Sequence, residues 1–85
     1  MTTMLRNGIL MTETEYGVVL LDEHTGAYYT LNPTAALVVR TLDSGGDDEA
    51  AAAALVAQFG ADPGTAGTDV AELVGSLRTA GLLRR

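Results

Sequence analysis

The sequence predicts a single α+β domain, a three-stranded antiparallel sheet followed by three helices in the order βββααα. Three observations carry this. Before Asn32, β-branched, aromatic and aliphatic residues come in short runs separated by turn residues, the pattern of a meander. After Asn32, apolar residues recur with a helical period. Finally, 85 residues that are 47% hydrophobic and 19% charged suffice for one core, with about 60% of the unfolded chain's surface buried. The domain takes in residues 1–85, with its ordered core expected at about 9–83.

The first strand is read over Ile9 to Thr14 and the second over Val18 to Leu21. Asp22-Glu23-His24-Thr25-Gly26 supplies the next turn, with Gly26 free to take the positive φ such loops need. Ala27-Tyr28-Tyr29-Thr30-Leu31 is the third strand. Asn32 then caps a helix that opens on Pro33 and runs to about Asp43, its inward residues read as Leu37, Val38 and Leu42. Ser44-Gly45-Gly46 ends it, and Asp47 caps a second helix through Phe59, with Asp48 and Glu49 suited to the positive end of the helix dipole. The apolar stripe of that alanine-rich helix is Leu55, Val56 and Phe59, and Gly60 stops it. Asp62-Pro63 repeats the cap-plus-proline signal and opens a third helix to about Ala80, with Val70, Leu73, Val74 and Leu77 on one face. Gly81 ends this helix, and Leu82-Leu83 fold back onto the domain.

Composition narrows the function. Without cysteine there is no disulfide, thiolate metal site or cysteine nucleophile, and the one histidine, His24, sits in a polar turn. No nucleophile–base pair stands out, so no catalytic residue, metal ligand or cofactor is assigned and the chain is read as a non-enzyme. Asp47-Asp48-Glu49 is a helix cap without calcium-loop spacing. The glycines at 45–46 and 60–67 lack the lysine of a phosphate loop. Leu42-Asp43-Ser44 is unlike a carrier-protein attachment serine, which opens a helix instead of closing one. A net charge of −6 repels a duplex carrying one negative charge per ~1.7 Å, so nucleic acid is not the expected partner. No apolar run approaches the ~20 residues of a membrane span, and Met1 to Asn7 is no secretory signal; a cytoplasmic protein is expected.

The third strand and third helix are the informative elements. In a meander the third strand is an edge, and this one has neither lysine nor proline to discourage pairing. Such an edge can dock an extended peptide. Tyr29 and Leu31 share one face of it, Tyr28 and Thr30 the other. From the pattern alone, the simpler reading is that both tyrosines pack in a domain poor in aromatics. Asp69, Glu72 and Ser76 flank the apolar face of the third helix, and with it could border an acid-rimmed groove suited to a basic partner.

Gly17-Val18-Val19-Leu20-Leu21-Asp22, Thr25-Gly26-Ala27-Tyr28-Tyr29-Thr30-Leu31-Asn32-Pro33-Thr34-Ala35-Ala36, and the Asp69-Val70 helix ending in Gly81-Leu82-Leu83 resemble the PqqD-like proteins. These are the recognition elements of ribosomally made, modified peptides (RiPPs), and the chain looks most like the stand-alone form of lasso-peptide pathways. The resemblance spans about Ile9 to Leu83 and is most specific at the tyrosine strand running into Leu31-Asn32. It implies a winged helix-turn-helix-like fold and a leader peptide that binds as an added strand. Tyr28, Tyr29, Thr30 and Leu31 would form the strand wall, and Asp69, Val70, Glu72, Leu73, Ser76 and Leu77 the helix wall. The implied partners are the precursor's leader peptide and a separate leader peptidase and cyclase, with no nucleic acid and no membrane. The alternative is a PqqD-type chaperone of another peptide pathway, although Asp43-Ser44-Gly45-Gly46 replaces the Cys-Asp-Gly-like segment usual there. A winged-helix DNA-binding regulator shares the element order, but its third helix would need to be basic, and this one carries Asp69, Glu72 and a single Arg78.

Overall fold

A computed structural model describes residues 5–15 and 17–83. The order is β1 (Ile9–Thr14), β2 (Gly17–Asp22), β3 (Tyr28–Leu31), α1 (Pro33–Asp43), α2 (Asp48–Phe59) and α3 (Pro63–Thr79), the α+β arrangement the sequence predicts. The sheet is antiparallel in the order β1-β2-β3, so the most apolar strand is central and β3 is an edge. Arg84 and Arg85, read above as a charged end, lie outside the described residues.

Each helix starts as its sequence dictates. Asn32 Oδ1 accepts from the Ala35 amide at 2.8 Å, Asp47 Oδ1 from Ala50 at 2.8 Å, and Asp62 Oδ2 from Gly64 and Thr65 at 3.1 and 3.2 Å. Gly60 ends α2 in the left-handed region at φ +66°.

The strand boundaries differ slightly from expectation. Ala27 belongs to the turn, because its carbonyl accepts from the Asp22 amide while its own amide donates to Thr25 Oγ1. Alternation along β2 sorts the two faces: Val18, Leu20 and Asp22 are buried toward the helices, while Val19 and Leu21 are half-buried on the outer face. Register then places Ile9, Met11, Tyr29 and Leu31 on the inner face. Leu10, Leu21 and Tyr28 form a row across the outer face.

Two core assignments are corrected. In α1 the buried arc is Ala36, Val38, Val39 and Leu42, with Leu37 only half-buried, because the helix packs against both the sheet and α2 and its inward arc centres on Val39 and Leu42. In α2 the core residues are Ala51 and Leu55, whereas Val56 is half-buried and Phe59 is 48% exposed. The last turn of α2 leaves Ala57, Gln58 and Phe59 exposed.

One linkage lies outside the sequence reading. Arg6 donates its backbone amide to Leu82 O at 2.8 Å, its Nε to Gly81 O at 2.6 Å, and an Nη to Asp22 Oδ2 at 2.9 Å. Beside it Leu5 pairs antiparallel with Leu83. Asp22 is the one buried charged residue among those described. Its carboxyl is held below the ordinary value of 3.8 chiefly by the His24 amide bonded to it; desolvation opposes this, and Arg6 adds to it.

A group lowered in this way stabilises the fold above its ordinary pKa and loses that contribution as the pH falls through the folded value. Asp22→Asn should therefore lower Tm at pH 7, with the gap to the parent closing as the pH is taken below 3.8. Leu20→Ala, which truncates a fully buried side chain, should cost about 3 kcal/mol and more than ~10 °C in Tm at any pH.

Candidate functional site

The β3 edge is open. On the inner-strand side, the parity of its hydrogen bonds follows from two contacts. Asp22 N–H donates to Ala27 O at 2.8 Å, in register with the β2–β3 pairing, so the pairs two and four residues on, Leu20·Tyr29 and Val18·Leu31, are the hydrogen-bonded ones. Glu23 N–H donates to Gly8 O at 2.9 Å, which directs Leu21 and Val19 to β1 and agrees with this parity. The backbone groups of Tyr28 and Thr30 consequently face away from the sheet, without a backbone partner among the described residues.

Just past the end of this strand lies a pocket of about 220 Å³. This exceeds the ~150 Å³ cavity that takes up benzene. Val38 and Leu55, both buried, form its floor, and Ala35, Ala61 and Leu73, half-buried, its walls. Phe59, half exposed, also lines it, and Asn32, Thr34 and Asp69 form a polar rim. The α1 cap sets that rim, since Asn32 Oδ1 accepts from both Ala35 N–H and the Thr34 hydroxyl, at 2.8 and 3.0 Å. Further along α3 a shallow recess is lined by Glu72, Gly75, Ser76, Thr79 and Ala80.

The ten residues singled out in the sequence are thus distributed over several environments. Asp69 and Leu73 meet in the pocket, and Glu72 and Ser76 in the shallow recess. Tyr28 is 70% exposed on the outer face with Thr30, while Tyr29 lies at 36% on the inner face. Leu31, Val70 and Leu77 are buried in the core, where they support these surfaces from below. None of the four β3 residues lines either recess; the chain enters the pocket only at Asn32.

The contributions of α1 and α2 to the pocket were not anticipated. One signal was available: the chain's single phenylalanine, Phe59, stands at the end of an alanine-rich helix. Among the described residues no group of three or more His, Cys, Asp or Glu is placed to hold a metal, and no helix is long and apolar enough to cross a membrane.

An open sheet edge running into an apolar, acid-rimmed pocket defines a small domain built to present one strand and one recess side by side. The family described as coenzyme PQQ synthesis protein D (PqqD) matches residues 17–83, and the chain belongs to it. Among solved structures, it is similar to a lasso peptide synthetase B1 complexed with the leader peptide, with 36% identity, full coverage of both chains and a TM-score of 0.93. It is also similar in fold to TbiB1 in complex with the TbiA(beta) leader peptide (23% identity, 95% of this chain and 94% of that one, TM-score 0.87). A third similar fold is the PqqD portion of Methylobacterium extorquens PqqCD, a functional, stand-alone RiPP recognition element (22% identity, 99% and 89% covered, TM-score 0.79). No curated protein matches the chain.

Burial separates two substitutions that look alike in sequence. Leu77→Arg places a charge at a residue 5% exposed and should unfold the domain, whereas Leu73→Arg at the half-buried pocket wall should leave the circular dichroism spectrum and a cooperative melt in place.

Proposed function

We infer that this protein is a non-catalytic adaptor that binds the leader peptide of a ribosomally made precursor, of the lasso-peptide type, and presents it to a separate leader peptidase and cyclase in the cytoplasm. The observation that carries this reading is the open β3 edge beside an apolar pocket, in a chain 36% identical over its full length to a leader-bound lasso peptide synthetase B1. The leader adds as a strand to β3, so main-chain bonds supply affinity and side-chain recesses supply specificity. Tyr29 forms the inner side of the strand wall with the buried Leu31 beneath it, and Tyr28 and Thr30 contribute outward-facing backbone. Asp69, Glu72, Leu73 and Ser76 contact the peptide from α3, with Val70 and Leu77 as their buried support.

The pocket extends this site to Phe59, Ala61 and Asn32, and takes an apolar side chain of the leader. Its acidic rim and the net charge of −6 suit a leader with basic residues next to its apolar ones. Because affinity comes from a short strand and one or two anchors, a dissociation constant near 1 μM, about −8 kcal/mol, is expected.

The test is fluorescence anisotropy of a labelled leader from the precursor encoded beside this gene, with a scrambled leader and duplex DNA as controls. Saturable binding to the authentic leader alone is expected, and equal binding to the scrambled peptide would refute the reading. Leu73→Arg and Phe59→Ala should each weaken binding tenfold or more, and Ala61→Phe, which fills the pocket, should do the same with the fold intact.

A further inference from the structure

We propose that Arg6 is a positioning residue for leader capture: it fixes the spacing between β3 and α3 by gripping the start of the strand and the end of the helix at once. This rests on the leader-binding reading above and adds to it a residue that touches no part of the bound peptide.

Strand and helix lie side by side and run in opposite directions. At one end Asn32, the residue after β3, shares the pocket with Asp69 and Leu73 of α3. At the other end the turn that opens β3 is joined to the chain beyond α3. Asp22 N–H donates to Ala27 O at 2.8 Å, Asp22 Oδ2 accepts from an Arg6 Nη at 2.9 Å, and Arg6 Nε donates to Gly81 O at 2.6 Å. The shallow recess on α3 reaches Ala80 and so stops one residue short of that grip. Between the two ends the walls are not packed on one another: α3 lies along α2, and it is α1 that approaches β2 and β3. A helix seated on the sheet mainly through its neighbours can slide against it. A gap of about 0.5–1 Å already forfeits a quarter to a half of the dispersion attraction at a contact, so a side chain held between such walls needs their spacing fixed.

The side chain suits the task. A guanidinium sends donors in different directions from one rigid plane, so the bonds to Asp22 and Gly81 set a distance as well as a charge balance. Both ends of the grip are themselves anchored. Asp22 is buried and its other oxygen takes the His24 amide at 2.9 Å, while Gly81 turns the chain at a φ of +79° and delivers Leu82 and Leu83 to the core. The backbone of the same segment reinforces the link, with Arg6 N–H on Leu82 O at 2.8 Å and Leu5 paired with Leu83. A lysine in this place would still neutralise Asp22, but its single nitrogen on a flexible stem would not hold Gly81 at a set distance from it.

Two readouts on Arg6→Lys test the proposal. The chain has no cysteine, so Glu23→Cys and Thr79→Cys, both at exposed positions, take a pair of spin labels across the turn before β3 and the end of α3. Double electron–electron resonance should give one narrow distance in the labelled parent and a broadened or shifted one when Arg6→Lys is added, with Tm near that of the parent. Leader affinity, read by anisotropy on the unlabelled proteins, should fall about tenfold in Arg6→Lys. Val39→Ala, which truncates a buried residue of α1, should lower Tm further yet leave both the label distance and the affinity as in the parent.

An unchanged label distance or unchanged affinity in Arg6→Lys would overturn the proposal. So would an equal loss of affinity in Val39→Ala, which would tie binding to stability alone, or unfolding of Arg6→Lys, which would make the link purely structural. Failure of the parent itself to bind the leader would remove the leader-binding reading and this proposal with it, an outcome told apart by the parent's own titration.

Discussion

The contact between Arg6 and Asp22 holds the sheet in the shape that the rest of the molecule uses. Asp22 ends the central strand and begins the turn into β3; one carboxylate oxygen takes the His24 amide at 2.9 Å and the other takes Arg6 at 2.9 Å. Through Arg6 the same carboxylate reaches the carbonyls of Gly81 and Leu82, beyond the end of α3. One buried anion thus ties together the segment before β1, the turn before β3 and the tail after α3. Removing either partner would leave the other poorly satisfied, so the pair matters more to the geometry of the turn than to the net stability of the fold. The exposed pair between Glu13 and Arg40, at 2.7 Å, bridges β1 and α1 without any comparable consequence.

An open edge strand invites aggregation as well as binding, and the protein limits the hazard by shortness and charge. β3 has four residues, two of them with outward-facing backbone, which is too little to nucleate an extended stack. The net charge of −6 keeps copies of the chain apart, yet the acidic rim of the pocket leaves a basic or neutral peptide free to approach.

The fold was largely legible because its signals are local. Three cap residues, Asn32, Asp47 and Asp62, mark three helix starts, and the uninterrupted apolar run Val18-Val19-Leu20-Leu21 marks the second strand. The site was legible only as far as one element could reveal it. Alternation put Tyr28 and Tyr29 on opposite faces, but Leu73 and Leu77, one turn apart on the same stripe, differ in burial, Leu77 lying in the core and Leu73 at the pocket, and the helical period alone does not separate them. The pocket joins residues from three helices, and such a coincidence leaves no periodic trace. The Arg6 linkage was unreadable for the same reason, since 75 residues separate it from its Gly81 partner.

The four-residue length of β3 also sets a clock. With an affinity near 1 μM and an association rate of about 10⁶ M⁻¹s⁻¹, a bound leader stays for roughly one second. Each further ~1.4 kcal/mol gained by a longer strand would lengthen that stay about tenfold. Brevity makes release spontaneous: a peptide held only by so short a strand leaves at the pace of a slow enzyme, with no energy source needed.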